Sequence, residues 1–267
     1  MTEIMTEIKK YNYQGRTDNE NVPERIHQVI KDYEGQNDAF VITGFSSDEG
    51  VRRNKGTPGA AEGPFKVREK MGSYAYTDAL YDAGTVIGNE NLEQSQKDMG
   101  QLLEGIYENN SMPIIIGGGH ETFYAHYLGA RAAFDGKIAI VNLDAHFDLR
   151  NERPSSGTMF YQILSEDKKA DYFCLGLQPQ GNTKTLYDTA DDFGVKYYSI
   201  DEVRETNAAH EVLAAVKDYD VVLLTLCMDS LQQGIAPGVS APSPNGYTAS
   251  EVHNLVSKFA ALSNLKI

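Results

Sequence analysis

An aspartate, a histidine and a second aspartate stand at alternate positions directly after an apolar run at residues 137–143. This run is rich in aliphatic residues, as expected of a strand that is buried on both faces. Alternate side chains of an extended chain point the same way, so Asp144, His146 and Asp148 converge if the extended geometry continues past the strand. The cluster predicts either a metal site or a polar strand end with a hydrogen-bonded histidine.

Two other predicted strand ends carry groups of the same kind. Three glycines precede His120, and they permit a tight turn with close approach of the backbone. Cys227 and Asp229 follow an apolar run at residues 220–226. Each segment alone is an ordinary loop or strand end, but the three segments together offer six groups. Six groups are enough for two metal ions with shared ligands, and the oxygen and nitrogen donors among them suit Mn²⁺, Mg²⁺ or Zn²⁺.

Apolar runs and helical patterns alternate along the chain. We expect strands at about residues 39–44, 80–87, 113–116, 137–143, 172–177, 195–200 and 220–226. We expect helices at about residues 22–33, 62–71, 92–108, 122–134, 158–164, 183–193, 207–216 and 248–262. This alternation predicts an α/β fold with a mostly parallel sheet and right-handed crossovers. Ligands of such sheets bind at the carboxyl ends of the strands, where every unusual segment of this chain falls.

The composition is that of an ordinary globular protein, with 41% hydrophobic and 23% charged residues among 267. The sequence shows no internal repeat or linker, so we expect a single domain over residues 1–267 with a loose N-terminal arm at residues 1–21. The formal net charge of −14 argues against nucleic acid or an anionic membrane surface as a partner. We expect instead a small-molecule substrate and a homo-oligomer.

The compartment that the sequence favours is the cytoplasm. No apolar run approaches the length of a membrane span, and the first residues lack the basic and apolar pattern of a signal peptide. The two cysteines, Cys174 and Cys227, provide no disulfide framework and fit a reducing environment.

Three segments of the sequence resemble the signatures of the ureohydrolases, the family that includes arginase, agmatinase and formimidoylglutamase. These segments are Gly-Gly-Gly-His-Glu at residues 117–121, Asp-Ala-His-Phe-Asp at residues 144–148, and Cys-Met-Asp at residues 227–229 with the loop through residue 242. The resemblance covers the chain from about Val41 onward. It implies a three-layer α/β/α arginase-like fold, a binuclear manganese centre, and hydrolysis of a guanidinium or amidine carbon.

Within the family, the resemblance is strongest to the formimidoylglutamases. It rests on residues 49–54, 59–64, 146–150, 155–158 and 176–182. This resemblance implies the conversion of N-formimidoyl-L-glutamate and water to L-glutamate and formamide, a reaction of histidine degradation. Arginases carry a histidine shuttle residue just past the Asp-His-Asp segment, and residues 156–159 here contain no histidine. The sequence therefore argues against arginase itself.

The resemblance implies six metal ligands for two Mn²⁺ ions: His120, Asp144, His146, Asp148, Cys227 and Asp229. His120 and Asp148 would hold one ion. His146 and Asp229 would hold the other ion, with Asp144 as a bridge between the two. A hydroxide on the metal ions would attack the formimidoyl carbon, and Asp148 would orient it and pass a proton to the departing amine.

Two departures from the family pattern keep a non-catalytic homologue open as an alternative. The second bridging position, usually aspartate, is Cys227, and a thiolate is softer than Mn²⁺ prefers. The family also continues into an eighth strand that bears a glutamate near the amidine, whereas this sequence ends at Ile267. We therefore expect the sheet to lack its last strand, unless the resemblance itself fails at this end.

Three arginines in predicted loops are candidates for binding the substrate: Arg52, Arg53 and Arg150. Formimidoylglutamate has two carboxylates, and arginine can bind a carboxylate through two parallel hydrogen bonds. A single surface arginine is more often simply solvated. Agmatine or another guanidine remains an alternative substrate, although the positive amine of agmatine would favour acidic loops over these arginines.

Overall fold

The structure is a computed structural model, and it describes residues 6–266. It divides into two compact units. Of the described residues, the first unit holds 6–53 and 58–133, and the second holds 54–57 and 134–266. The single-domain expectation stays a prediction, and each unit is described by itself. No helix in the described part of the chain is long and apolar enough to cross a membrane.

The first unit is built on a five-stranded sheet. Its strands are β1 (Ile8–Lys9), β2 (Ile30–Asp32), β3 (Phe40–Ser46), β4 (Leu80–Ile87) and β5 (Met112–Ile116). Hydrogen bonds give the order β1-β4-β3-β5, and β2 also pairs with β4. All of these pairings are parallel except the one between β1 and β4. The carboxyl ends of β3 and β5 therefore share one edge of the sheet, from which residues 47–62 and His120 leave.

The helices of the first unit are α1 (Ile26–Val29), α2 (Glu49–Arg53), α3 (Gly63–Met71), α4 (Leu92–Glu108) and α5 (Thr122–Ala133). α4 is capped by Asn91, whose side chain accepts a hydrogen bond from the backbone N of Gln94. α4 and α5 pack closely because both carry a glycine at the contact. A Cβ on Gly129 would lie 2.6 Å from the Cβ of Leu103, so a larger residue there would push the helices apart.

The second unit is built on a parallel four-stranded sheet in the order β8-β7-β6-β9. These strands are β6 (Ile138–Leu143), β7 (Ala170–Leu177), β8 (Lys196–Ser199) and β9 (Val221–Leu226). The helices of this unit are α6 (Met159–Glu166), α7 (Lys184–Asp192), α8 (Ile200–Glu205), α9 (Ala208–Val216) and α10 (Ala249–Ala260). Every residue of β6 is buried, which confirms the prediction of a strand covered on both faces.

Helices pack on both faces of this second sheet. On one face, Val141 belongs to a buried apolar cluster with Val212 of α9 and Phe259 of α10. On the other face, the ring of Phe160 in α6 stacks on Tyr172 of β7 with a centroid distance of 4.2 Å. This gives the α/β/α layering that the sequence predicted, here within the second unit.

One expectation for the N-terminal region was wrong. The helix expected at residues 22–33 is limited to α1, because Ile30–Asp32 pairs in parallel with β4. The sheet satisfies the backbone hydrogen bonds of these residues, which outweighs their weak helical pattern. The loose arm at residues 1–21 stays a prediction: β1 within it pairs with β4, and residues 1–5 lie outside the described residues.

Two short helices were not expected from the sequence. α2 lies within the long connection after β3, which was predicted as a loop. α8 begins where the strand predicted at residues 195–200 was expected to end, because Ser199 forms a capping box with Glu202. No strand follows β9 among the described residues, although Leu265 forms an isolated parallel bridge with Val222.

Candidate metal centre

The loop after β6 begins in the extended form and then turns. The backbone N of Asp144 donates to the carbonyl O of Leu175 at 3.1 Å, which continues the pairing with β7 by one residue. Asp144 is fully buried, and its Oδ1 accepts a hydrogen bond from the backbone N of His146 at 2.9 Å. Asp148 has a φ of +50°, in the left-handed region that non-glycine residues adopt only infrequently. The extended alternation therefore does not continue as far as Asp148.

Asp144, His146 and Asp229 come together at the carboxyl edge of the second sheet. One ligand atom of each lies within 4.8 Å of the ligand atoms of the other two. Nδ1 of His146 is 3.1 Å from Oδ2 of Asp229 and 3.7 Å from Oδ1 of Asp144. Asp229 reaches this point from a single 3-10 turn, Met228–Ser230, that follows β9. The side chains of Asp144 and His146 thus lie close together, as predicted. The third group beside them is Asp229.

The charges at this point favour a cation. Burial alone lowers the pKa of His146, but the hydrogen bonds and charges of Asp144 and Asp229 outweigh it and raise this pKa to about 11. Burial and the charge of Asp144 raise the pKa of Asp229, against the opposing effect of His146. Oδ1 of Asp229 is buried without a hydrogen-bond partner among the described residues. An orphaned carboxylate oxygen beside a buried carboxylate and an imidazole fits the donor set of a divalent cation.

Cys227 lies beside the same group. Its backbone N donates to the carbonyl O of Leu143 at 3.0 Å, and its sulfur lies within 4.8 Å of a carboxylate oxygen of Asp144. Burial raises the pKa of the Cys227 thiol well above its usual value, and the charges of Asp144, Asp229 and Asp148 raise it further. The side chain is therefore a neutral thiol unless a cation offsets these charges.

Asn182 was not given a role by the sequence analysis, and it fixes the loop that carries His146. Its Oδ1 accepts from the backbone N of Phe147 at 3.0 Å, and its Nδ2 donates to the carbonyl O of Ala145 at 2.9 Å. The same Nδ2 donates to the carbonyl O of Gln178. The only signal in the sequence was the presence of Asn182 in one of the segments that carry the family resemblance.

His120 lies in the first unit, after the carboxyl end of β5, and is partly buried. The backbone N of Gly119 donates to the carbonyl O of Ser47 at 2.8 Å. A Cβ on Gly118 would overlap that same carbonyl oxygen. The need for glycine to allow a close backbone approach is thus confirmed. The roles of His120 and Asp148 as ligands stay predictions.

The three candidate arginines have different surroundings. Arg53 is only 5% exposed and bonds to Glu49 at 2.8 Å and to Glu93 at 2.7 Å, so its guanidinium joins α2 to α4. Arg52 is largely exposed and pairs with Glu49 at 2.6 Å. Arg150 in the second unit is exposed and bonds to the neutral side chain of Asn54. The ion pairs give Arg53 a structural role, and the substrate-binding role of all three stays a prediction.

The sequence is similar to one protein family and to named relatives in it. The model of the Arginase family matches residues 38–267. The chain is 45% identical over 258 residues to a formimidoylglutamase of Geobacillus sp. (strain WCH70), covering 89% of this chain and 79% of that protein. It is 41% identical over 254 residues to a formimidoylglutamase of Nocardia farcinica (strain IFM 10152), covering 91% of this chain and 82% of that protein.

Solved structures show the same fold. The formimidoylglutamase from Bacillus subtilis subsp. subtilis str. 168 matches with a TM-score of 0.84 at 23% identity, covering 94% of this chain and 84% of that chain. Trypanosoma cruzi formiminoglutamase with Mn²⁺ matches with a TM-score of 0.81 at 24% identity, covering 91% of this chain and 87% of that chain. The mostly parallel, arginase-like α/β fold predicted from the sequence is confirmed.

Proposed function

The chain belongs to the arginase family, and on that premise we propose that it is a metal-dependent hydrolase that converts N-formimidoyl-L-glutamate and water to L-glutamate and formamide. The observation that carries the proposal is the convergence of Asp144, His146 and Asp229 at the carboxyl edge of a parallel sheet. The substrate is taken from the relatives named formimidoylglutamase at 45% and 41% identity.

We propose that Asp144, His146 and Asp229 form the core of a site for two Mn²⁺ ions. His120, Asp148 and Cys227 are the further proposed ligands, on the strength of the family resemblance. Two Mn²⁺ ions held by these residues would supply Lewis-acid chemistry that activates water near neutral pH. The orphaned Oδ1 of Asp229 supports a cation at this point, because a buried carboxylate oxygen otherwise loses its solvation without compensation.

The side chains of this protein then position the reactants and move protons. Asp148 is proposed to orient the nucleophile toward the formimidoyl carbon. Attack there and cleavage of the bond to the glutamate nitrogen release formamide, and Asp148 passes a proton to the departing amine. Phe147 and Leu149 on either side of Asp148 are buried, and their burial supports the proposal because it restricts the movement of the backbone at Asp148.

Arg150 is the arginine best suited to bind a carboxylate of the substrate. It is exposed in the loop that follows the Asp144-to-Asp148 segment, and no carboxylate in the described residues pairs with it. Arg52 already shares Glu49 with Arg53, so a substrate carboxylate would compete with an existing ion pair. A cationic substrate end such as that of agmatine would be repelled by Arg150.

An assay on a panel of substrates tests the proposal. The purified protein is loaded with Mn²⁺ and given formimidoylglutamate, agmatine, guanidinobutyrate or arginine, with its metal content measured in parallel. We expect glutamate and formamide from the first substrate and little product from the others. Urea released from agmatine or guanidinobutyrate would show that the substrate is a guanidine and not formimidoylglutamate. Bound manganese without any product would favour the non-catalytic homologue, as would failure to bind manganese.

A further inference from the structure

Residues 54–57 form a short segment that belongs to the second unit, although the residues on both sides of it belong to the first. We call this segment the strap. The backbone N of Thr57 donates to Oγ of Ser240 at 2.9 Å, in the loop that follows Asp229. The side chain of Asn54 bonds instead to the loop that follows the Asp144-to-Asp148 segment. The strap is thus fixed to both loops that leave the candidate ligands of this unit.

The amide of Asn54 uses both of its ends. Its Oδ1 accepts a hydrogen bond from Nη1 of Arg150 at 3.0 Å, and its Nδ2 donates to Oγ of Ser156 at 3.3 Å. Arginine is only a donor, so the oxygen end of the amide must face the guanidinium. A Cβ on residue 157 would come within 3.1 Å of Nδ2, and Gly157 therefore leaves room for this arrangement.

Arg150 keeps most of its hydrogen-bonding capacity. Its backbone N donates to the carbonyl O of Gly157 at 3.0 Å, which fixes the main chain at this point. Its Nη1 donates one hydrogen bond to Oδ1 of Asn54. The other N–H groups of the guanidinium have no acceptor among the described residues. A planar guanidinium that is held at one corner can still present two parallel N–H groups to a carboxylate.

Arg150 differs from Arg53 in the charge of its hydrogen-bond partner, because Asn54 is neutral. Arg53 is paired with the carboxylates of Glu49 and Glu93, which cancel its charge locally. Asn54 orients the guanidinium of Arg150 through a carbonyl-type oxygen and leaves its positive charge uncompensated. An oriented and uncompensated charge binds an anionic group well, because less side-chain freedom is lost on binding. The net charge of the chain is −14, so its overall electrostatic potential is negative and repels anions. The guanidinium of Arg150 provides a local positive charge against this potential.

We propose that Asn54 is a positioning residue that holds Arg150 ready for a carboxylate of the substrate. The inference rests on the proposed function and adds the strap to it as a determinant of substrate selectivity. Asn54→Ala frees the guanidinium, and Asn54→Asp pairs it with a charge that competes with the substrate. Both changes should therefore weaken binding of molecules with carboxylates and spare molecules without them.

Steady-state kinetics of the Mn²⁺-loaded protein provide the test. The substrates are formimidoylglutamate and N-butylformamidine, an amidine that lacks both carboxylates. We expect Asn54→Ala to raise KM for formimidoylglutamate about 3- to 10-fold, the typical net worth of one hydrogen bond, with kcat nearly unchanged. Asn54→Asp should raise KM further. The kcat/KM for N-butylformamidine should stay at the parent value, which a general disturbance of folding would not allow.

Two controls make the result specific. Asn151→Ala removes a neighbouring exposed amide and should leave both substrates unaffected. In an Arg150→Ala background, Asn54→Ala should add nothing, because the residue that it positions is absent. Equal losses for both substrates, or a full additional loss in the Arg150→Ala background, would overturn the proposal.

Binding of L-glutamate separates this inference from the proposed function. Parent protein that releases no glutamate from formimidoylglutamate contradicts the proposed function. Even if the parent protein is inactive, calorimetric titration with L-glutamate measures its affinity for a dicarboxylate and compares it with that of Asn54→Ala. Weaker binding by the variant supports the positioning role, and equal binding or no binding by either protein refutes it.

Discussion

Nδ1 of His146 lies 3.1 Å from Oδ2 of Asp229, although the two residues are 83 positions apart in the chain. The other oxygen of Asp229 is buried and has no hydrogen-bond partner among the described residues. Parallel strands β6 and β9 are direct neighbours, so their carboxyl ends bring the two residues to one place. The protein thus assembles a buried acid, an imidazole and an orphaned oxygen, and this donor set fits a divalent cation.

Replacing Asp229 with asparagine should weaken manganese binding by at least about tenfold, because a neutral amide is a poorer ligand and its NH₂ group repels a cation. The metal-free variant should be less stable than the parent, because Asp229 helps to raise the pKa of His146 to about 11 and its loss leaves a buried imidazolium with one carboxylate fewer. Manganese titration and thermal unfolding measure the two effects. Asp192→Asn removes an exposed carboxylate of the same charge and serves as the control. Equal manganese affinity in both variants would remove Asp229 from the site.

Replacing Cys227 with aspartate should strengthen manganese binding, because a carboxylate offers two hard oxygens in place of one soft sulfur. The raised pKa of the Cys227 thiol means that metal binding through this sulfur must displace a proton. Manganese affinity of the parent should therefore rise with pH, and that of Cys227→Asp should change less between pH 6 and pH 8. Titrations at both pH values measure this difference.

Cys227→Ala distinguishes a thiolate that binds manganese from a protonated thiol that does not. The variant loses manganese if the sulfur is a ligand, and it matches the parent if the thiol stays protonated. No gain in affinity from aspartate would mean that residue 227 does not occupy the bridging position that the family resemblance implies.

The carboxyl group of Glu251 should contribute to stability above about pH 4 and lose that contribution as the pH falls toward 2. The hydrogen bonds of Arg204, together with that of Thr248, overcome partial burial and lower the pKa of Glu251 to about 2. A folded-state pKa below the unfolded value of about 4.3 stabilises the folded protein at higher pH. The side chain is 33% exposed, so Glu251→Ala should cost only about 1–2 kcal/mol at pH 7, including the lost capping box.

Urea unfolding of the parent and Glu251→Ala at pH 7 and pH 3 checks this dependence. The difference between the two proteins should shrink at the lower pH. Glu205→Ala removes an exposed glutamate of α8 and should show neither the loss nor the pH dependence. A difference that stays constant with pH would show that the carboxylate charge is not its source.

Alanine at two glycines of the first unit should have opposite effects. A Cβ on Gly118 overlaps the backbone carbonyl of Ser47, which cannot rotate away, whereas a Cβ on Gly105 in α4 meets nothing within 4 Å. We expect Gly118→Ala to destabilise the protein by more than about 2 kcal/mol. Gly105→Ala should stabilise it by about 0.5–1 kcal/mol, because alanine favours helix over glycine. Chemical denaturation of both variants measures this contrast, and equal effects would contradict the packing at the Gly118 turn.

Patterns that span one element could be predicted from the sequence. The apolar run before Asp144 became a strand buried on both faces, and the amphipathic pattern at residues 92–108 became α4 with the same bounds. The family resemblance implied that His146 and Asp229 share a metal ion, and the structure brings their side chains together, while their role as ligands stays a prediction. The two elements could be predicted because the periodicity of apolar residues shows where a buried strand or an amphipathic helix lies.

Several contacts between distant residues could not be predicted. β2 replaced part of an expected helix because β4 offered it backbone partners, and no local pattern shows that. The left-handed φ of Asp148 depends on how its loop is held, including the hydrogen bonds of Asn182. The ion pair between Arg53 and Glu93, forty positions away, is a further contact that no local pattern shows.

The central claim is that the metal site hydrolyses formimidoylglutamate, and one titration tests it directly. Metal-free protein is reloaded stepwise with Mn²⁺, and the glutamate released from N-formimidoyl-L-glutamate is measured at each level of bound metal. We expect glutamate and formamide in equal amounts, at a rate that rises with bound manganese and returns to background when a chelator removes it. No glutamate at full manganese loading, or release that is unchanged after the metal is removed, would contradict the account.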